Sequence, residues 1–126
     1  SRRRKLAAYS EGQVLAAQKL SALYGMPPAL MLESYDSFGS AVASLGDLDG
    51  DGVSDLAVGA YSDDDGASGA GAVYLVFLTT DGAGRALTKL SNSGVLPSGL
   101  ALAAGESFGY AVASLGDVDG DGVVDL

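Results

Sequence analysis

Eight aspartates carry the chemistry of this 126-residue chain, and they come in two identical ladders. In "GDLDGDGVSDL" the carboxylates of Asp47, Asp49, Asp51 and Asp55 occupy loop positions one, three, five and nine; in "GDVDGDGVVDL" those of Asp117, Asp119, Asp121 and Asp125 do the same. Four like charges in nine residues repel by about 1 kcal/mol per pair even in water, so the pattern is costly unless a cation sits among them. Gly50 and Gly52 can take positive φ and let the backbone curl, so that alternate side chains converge. The seventh positions, Val53 and Val123, need no side-chain ligand because a main-chain carbonyl can complete the shell. Five hard oxygen donors in a flexible wrap favour calcium over magnesium, which keeps more water and a stricter octahedron. Two Ca2+ sites are thus expected, from Asp47, Asp49, Asp51, the Val53 carbonyl and Asp55, and from Asp117, Asp119, Asp121, the Val123 carbonyl and Asp125. The competing reading is a polar surface turn, which Asp and Gly populate in any protein. An EF-hand is excluded, since its loop needs a bidentate Glu at position twelve and flanking helices, and Val58 stands there.

The elements that would position these ladders repeat at an offset of 70 residues. "SFGSAVASLGDLDGDGVSDL" from Ser37 matches "SFGYAVASLGDVDGDGVVDL" from Ser107 without a gap, differing only at Ser40/Tyr110, Leu48/Val118 and Ser54/Val124. Short apolar runs punctuated by Gly, Asp and Ser predict four strands per repeat. They are "SAVASLG" (and "YAVASLG" in the second copy), "DLAVGAY", "GAVYLVFL" and "RALTKLS". In "SEGQVLAAQKLSAL" local propensity favours helix, with Ser10 as an N-cap, but the repeat register aligns Lys19-Leu20-Ser21 with the end of a fourth strand, and the register is followed. The acidic stretch "YSDDDGASG" lacks alternating spacing and reads as a solvated connection between the second and third strands.

Composition bounds the function. The hydrophobic fraction of 48% supports a buried core. The net charge of −9 argues against nucleic acid as a partner. The two ladders hold 8 of the 16 acidic residues, leaving 8 acids against 7 bases elsewhere, so the charge belongs to the two loops. His and Cys are absent, which removes disulfides, thiolate nucleophiles, His-based triads and the usual zinc sets. No apolar run approaches the roughly 20 residues that span a bilayer, so any membrane attachment is expected through segments outside this chain. The run Arg2-Arg3-Arg4-Lys5 reads as a solvated loop. Because the chain starts at Ser1 and ends at Leu126, inside a motif whose first copy continues into "AVGAY", it is expected to be a fragment.

In combination these motifs resemble the FG-GAP repeats of integrin α-subunit β-propellers. The likeness rests on Phe38-Gly39 and Phe108-Gly109, on the Asp-x-Asp-Gly-Asp-Gly-x-x-Asp loops, on Val58-Gly59-Ala60 with Tyr61 where the family often has Pro, and on "GAVYLVFL"; it runs from about residue 12 to the end. The resemblance implies an all-β chain, a fragment of a β-propeller of about seven four-stranded antiparallel blades, with less than two blades present and calcium in the loop between first and second strands. Residues 1–36 would end a preceding blade, residues 37–106 would form one complete repeat, and residues 107–126 would begin the next. It further implies a non-catalytic adhesion or recognition module, extracellular or at the cell surface. Its partners would be a protein ligand or partner subunit, met on the face away from the calcium loops, and the remaining blades of the same longer chain. The alternative is an accessory propeller of a secreted or surface hydrolase, phospholipase D-like, with the catalytic domain outside this chain. Dockerin-like and thrombospondin-type calcium modules fail on the missing position-twelve ligand and the missing cysteines.

Overall fold

Four strands form in the order the apolar runs predict. The computed structural model of the chain describes residues 17–21, 25–26, 30, 32–97, 99–123 and 125–126. Strand β1 spans Phe38–Gly46, β2 Asp55–Ala60, β3 Ala72–Leu78 and β4 Gly84–Leu90. They make one open antiparallel sheet in the order β1-β2-β3-β4, so each strand pairs with its sequence neighbour. The register puts Val42 opposite Val58, Val58 opposite Tyr74 and Tyr74 opposite Lys89. The fold is all-β, and no helix occurs among the described residues.

Period-two alternation sends side chains to opposite faces, and over β2 and β3 both faces are covered, while Val42 of β1 stays exposed. On one face Val58, Ala60, Tyr74 and Val76 pack with Leu30, and Met26, Leu32 and Phe38 close over them. On the other, Ala57, Val73 and Leu45 meet Phe108 and Val112 of the second repeat. A sheet sandwiched on both sides is what a propeller blade requires of its neighbours.

The two Ser-Phe-Gly stretches share a backbone signature: Ser37 and Ser107 lie at φ 60° and 56°, and Gly39 and Gly109 at 88° and 86°. Phe38 meets the Tyr74 ring edge-on at 5.4 Å. Phe108 instead crosses to the first blade, where its N–H donates to the Ala70 carbonyl at 2.9 Å and its backbone bridges Gly71 in parallel. Tyr110 stacks edge-on against Tyr61 at 5.1 Å.

Three expectations are corrected. Lys19-Leu20-Ser21 are not in a strand, because no described strand takes them as a pairing partner; residues 10–16 and 22–23 of that stretch, like the basic run at 2–5, lie outside the described residues. "YAVASLG" from Tyr110 forms no strand, although its first copy does. Among the described residues it is paired by one isolated antiparallel bridge, between Gly116 and Asp125, and a single bridge does not make a ladder. Finally, the Tyr61–Gly69 stretch is not simply solvated: Asp63 is buried, as described below.

Candidate metal centre

The first ladder joins β1 to β2, and its four carboxylates meet. One oxygen each from Asp47, Asp49, Asp51 and Asp55 lie within 4.8 Å of one another. Ligands about 2.3 to 2.6 Å from one calcium ion cannot be more than about 5 Å apart, so the cluster fits a single such ion. Every side-chain donor is a hard oxygen, which suits a divalent cation of this type.

Backbone N–H groups fix the carboxylates. Asp51 and Gly52 donate to the two oxygens of Asp47 at 2.9 and 2.7 Å, and Val53 donates to Asp51 Oδ1 at 2.9 Å. Gly50 and Gly52, at φ 80° and 85°, supply the left-handed turns that aim these N–H groups inward. The bond from Gly52, followed by that from Asp51, holds the Asp47 carboxyl below the ordinary aspartate value, which keeps it ionised and ready to bind a cation. Asp55 stands apart from the other three. It opens β2, is fully buried, and accepts the Leu48 N–H at Oδ2 and the Leu78 N–H at Oδ1, both at 3.0 Å. It therefore ties the loop to the end of β3.

The second ladder reproduces this frame. Asp121 and Gly122 donate to Asp117 at 3.0 and 2.8 Å, Val123 donates to Asp121 Oδ1 at 2.8 Å, and Val118 donates to Asp125 at 2.9 Å. The Gly122 bond leads in lowering the Asp117 pKa, as Gly52 does for Asp47. Asp117, Asp119 and Asp125 converge within 4.8 Å, but Asp121 is not part of that group. Val53 and Val123 sit at the expected loop positions, each with its N–H on the preceding aspartate.

A cation that the spacing argument did not include lies across the first ladder. Arg85, near the start of β4, pairs through Nη2 with Asp49 Oδ2 and, at 3.0 Å, with Asp51 Oδ2, while its Nε donates to Asp51 Oδ2 at 3.3 Å. Its guanidinium rests 5.7 Å from the Phe77 ring centroid.

At the opposite end of the sheet, the β2–β3 connection forms a second polar cluster. Lys89 Nζ lies 3.0 Å from Asp63 and 3.2 Å from Asp65, and the Tyr74 hydroxyl donates to Asp63 at 3.2 Å. Ser91 donates to Asp65 at 2.6 Å, and Ser93 also donates to it. Burial pushes the Tyr74 phenol up to about 12. Burial would by itself lower the Lys89 pKa, but the bonds to Asp63 and Tyr74 outweigh it and raise the value. A cleft of about 670 Å³ opens here, lined by Leu30, Asp36, Asp63, Tyr74 and Lys89 among others. Three consecutive aspartates look like a solvated turn in sequence, yet Asp63 is buried, and its ion pair with the distant Lys89 on β4 accounts for that burial.

Comparison with known proteins agrees with this architecture. Residues 38–76, which run from the start of β1 into β3, match the FG-GAP repeat family. The chain is 34% identical over 121 residues to integrin alpha pat-2 of Caenorhabditis briggsae, covering 94% of this chain and 9% of that protein. It is 40% identical over 103 residues to integrin alpha-IIb of Homo sapiens, covering 79% and 9%. With integrin alpha-E of Homo sapiens it shares 34% identity over 93 residues, or 71% and 7%. The chain thus spans less than a tenth of the length of these curated relatives. Within that span the strands, the Phe-Gly pair and the first ladder fall where the family match lies, and the chain carries an FG-GAP repeat at residues 38–76.

Proposed function

We propose that this chain is part of a calcium-stabilised, non-catalytic adhesion or recognition propeller that works outside the cell or at its surface. The observation that carries the reading is the convergence of Asp47, Asp49, Asp51 and Asp55 on one point, with their orientation already set by backbone N–H groups. In this reading the Val53 and Val123 carbonyls complete two calcium sites, and Asp121 joins Asp117, Asp119 and Asp125 when the ion binds. The ion's contribution is structural: it offsets the mutual repulsion of the carboxylates and fastens β1 to β2.

The similarity to integrin α chains supports a protein ligand or a partner subunit as the binding partner, together with further blades of a longer chain. Residues 1–36, 37–106 and 107–126 then divide into the end of one blade, a complete repeat and the opening of the next. The hydrolase-accessory alternative has no observation of its own in its favour.

The test is a calorimetric calcium titration with thermal unfolding in parallel. Two binding events and a rising thermal midpoint are expected, and Asp51→Ala should abolish the first event while leaving the second. Unchanged two-site stoichiometry in that variant would refute the ligand assignment.

A further inference from the structure

We propose that Arg85 is a built-in counter-cation of the first metal loop, which holds the metal-free loop together and weakens its hold on the incoming divalent ion. This rests on the calcium reading above and adds a regulation of that same site. The geometry points to it in two ways.

First, the guanidinium occupies the oxygens that the loop's own frame leaves open. Asp51 Oδ1 is already committed to the Val53 N–H, so Oδ2 is the oxygen free to face an ion, and that is the atom to which Arg85 brings both Nε and Nη2. The same Nη2 reaches Asp49, so one planar cation spans two of the four converging carboxylates.

Second, the arginine is placed by the sheet and does not merely drift there. It lies in β4, beside the hairpin in which the Thr79 N–H donates to the Ala83 carbonyl at 2.7 Å. Its head rests on the Phe77 ring, and Phe77 pairs with Ala86 across β3 and β4. A guanidinium stacked on an aromatic face and forked across carboxylates keeps one orientation at lower entropic cost than a lysine would.

A monovalent cation relieves only part of the charge of four carboxylates, and it repels a dication approaching the same oxygens. Metal binding must displace the guanidinium or tolerate it. Because Arg85, Asp49 and Asp51 remain partly exposed, the penalty is that of a screened ion pair, about a fivefold change in affinity.

The experiment is a calorimetric titration with calcium chloride on the full chain in which Asp119→Ala silences the second loop, comparing Arg85 with Arg85→Gln. The expected result is about fivefold tighter binding at the first loop in the Gln variant, with a lower thermal midpoint before metal is added. In an Asp51→Ala background, Arg85→Gln should leave the second loop's affinity unchanged. Equal or weaker first-loop binding in Arg85→Gln, with calcium still bound by the parent, overturns this proposal and leaves the calcium reading standing. Absence of calcium binding at either loop in the parent and the variant overturns both. Should Arg85→Gln fail to fold without metal, Arg85→Lys keeps the charge but loses the fork. It should then bind about twofold tighter than the parent, and unchanged affinity would refute the proposal.

Discussion

Gly59 of β2 lies directly beneath the main-chain carbonyl of Gly109, so close that a Cβ on Gly59 would run into that oxygen. This is the seam where the second repeat's Phe-Gly pair docks on the first blade, and Gly71 faces the Phe108 backbone in the same way. Gly59 does not have a positive φ, so the requirement there is for space alone. Gly59→Ala should lift Phe108 and Val112 off Ala57 and Val73. The expected loss is about 2 kcal/mol of unfolding free energy in urea, a typical cost of overpacking. Ala41→Gly on the neighbouring strand, which removes a methyl and adds none at the seam, should not relax that defect. A stability equal to the parent's in Gly59→Ala would mean that the seam is not a packed contact.

Lys89 neutralises a buried carboxylate at the other end of the blade. Asp63 is only 3% exposed and has the ammonium and the Tyr74 hydroxyl as partners. Removing one member of such a pair strands the other, at a cost of about 3 kcal/mol. Lys89→Met should therefore destabilise strongly, and adding Asp63→Asn should recover much of the loss by removing the orphaned charge. A double-mutant cycle in urea measures the coupling; additivity of the two changes would show that the pair is not one unit.

The same cluster sets a pH dependence with two limbs. Hydrogen bonds, first from Ser91, then from Ser93 and Lys89, hold the Asp65 carboxyl below its ordinary value of 3.8. A folded-state pKa below the unfolded one gives stability that is present above that ordinary value and lost as pH falls through the folded one. Asp36 works in the opposite sense. Desolvation raises its pKa despite the bond from the Glu33 N–H, so its ionised form costs stability at neutral pH and that cost disappears as acid protonates it. Lys89, raised, adds stability that is complete below the unfolded lysine value and is lost as pH climbs through the folded one. Urea midpoints between about pH 2 and about pH 6 should show Asp65→Asn flattening the steepest part of the acid loss and Asp36→Asn steepening the net fall. The reverse assignment of those two slopes would contradict the cluster's geometry.

How much of this was legible depended on how local the cause was. The four strands follow from alternation within each run, since Val58, Tyr74 and Val76 face one way and Ala57 and Val73 the other. The first ladder was legible because its four carboxylates and their N–H frame lie within nine residues. Arg85 was not, because it is separated from Asp51 by 34 positions and reaches it only once β4 has folded back along β3. Asp63 was misread for the same reason: its partner Lys89 sits on another strand. The second copy of the first strand shows the opposite failure. "YAVASLG" has the residues of a strand, yet a strand also needs a partner to bond with, and no local pattern reports whether one is at hand.

Asp55 separates the structural demand of the loop from the metal binding proposed for it. Unlike Asp49 and Asp51, which are partly exposed and paired with Arg85, Asp55 is fully buried and accepts main-chain N–H groups at both oxygens. Asparagine in its place can present only one carbonyl oxygen, so either Leu48 or Leu78 loses its acceptor and an amide N–H₂ is turned toward a donor. Asp55→Asn should destabilise the metal-free chain by about 1 to 3 kcal/mol, the cost of leaving a buried donor unpaired. Asp49→Asn should change metal-free stability far less, because the ion pair it gives up is solvent-screened. Both variants should weaken calcium binding at the first loop. Thermal melts in chelator, followed by calcium titration, test the distinction: if the two variants melt together in chelator, Asp55 is only another ligand, and if Asp55→Asn melts well below Asp49→Asn, the carboxylate fastens β1, β2 and β3 before any ion arrives.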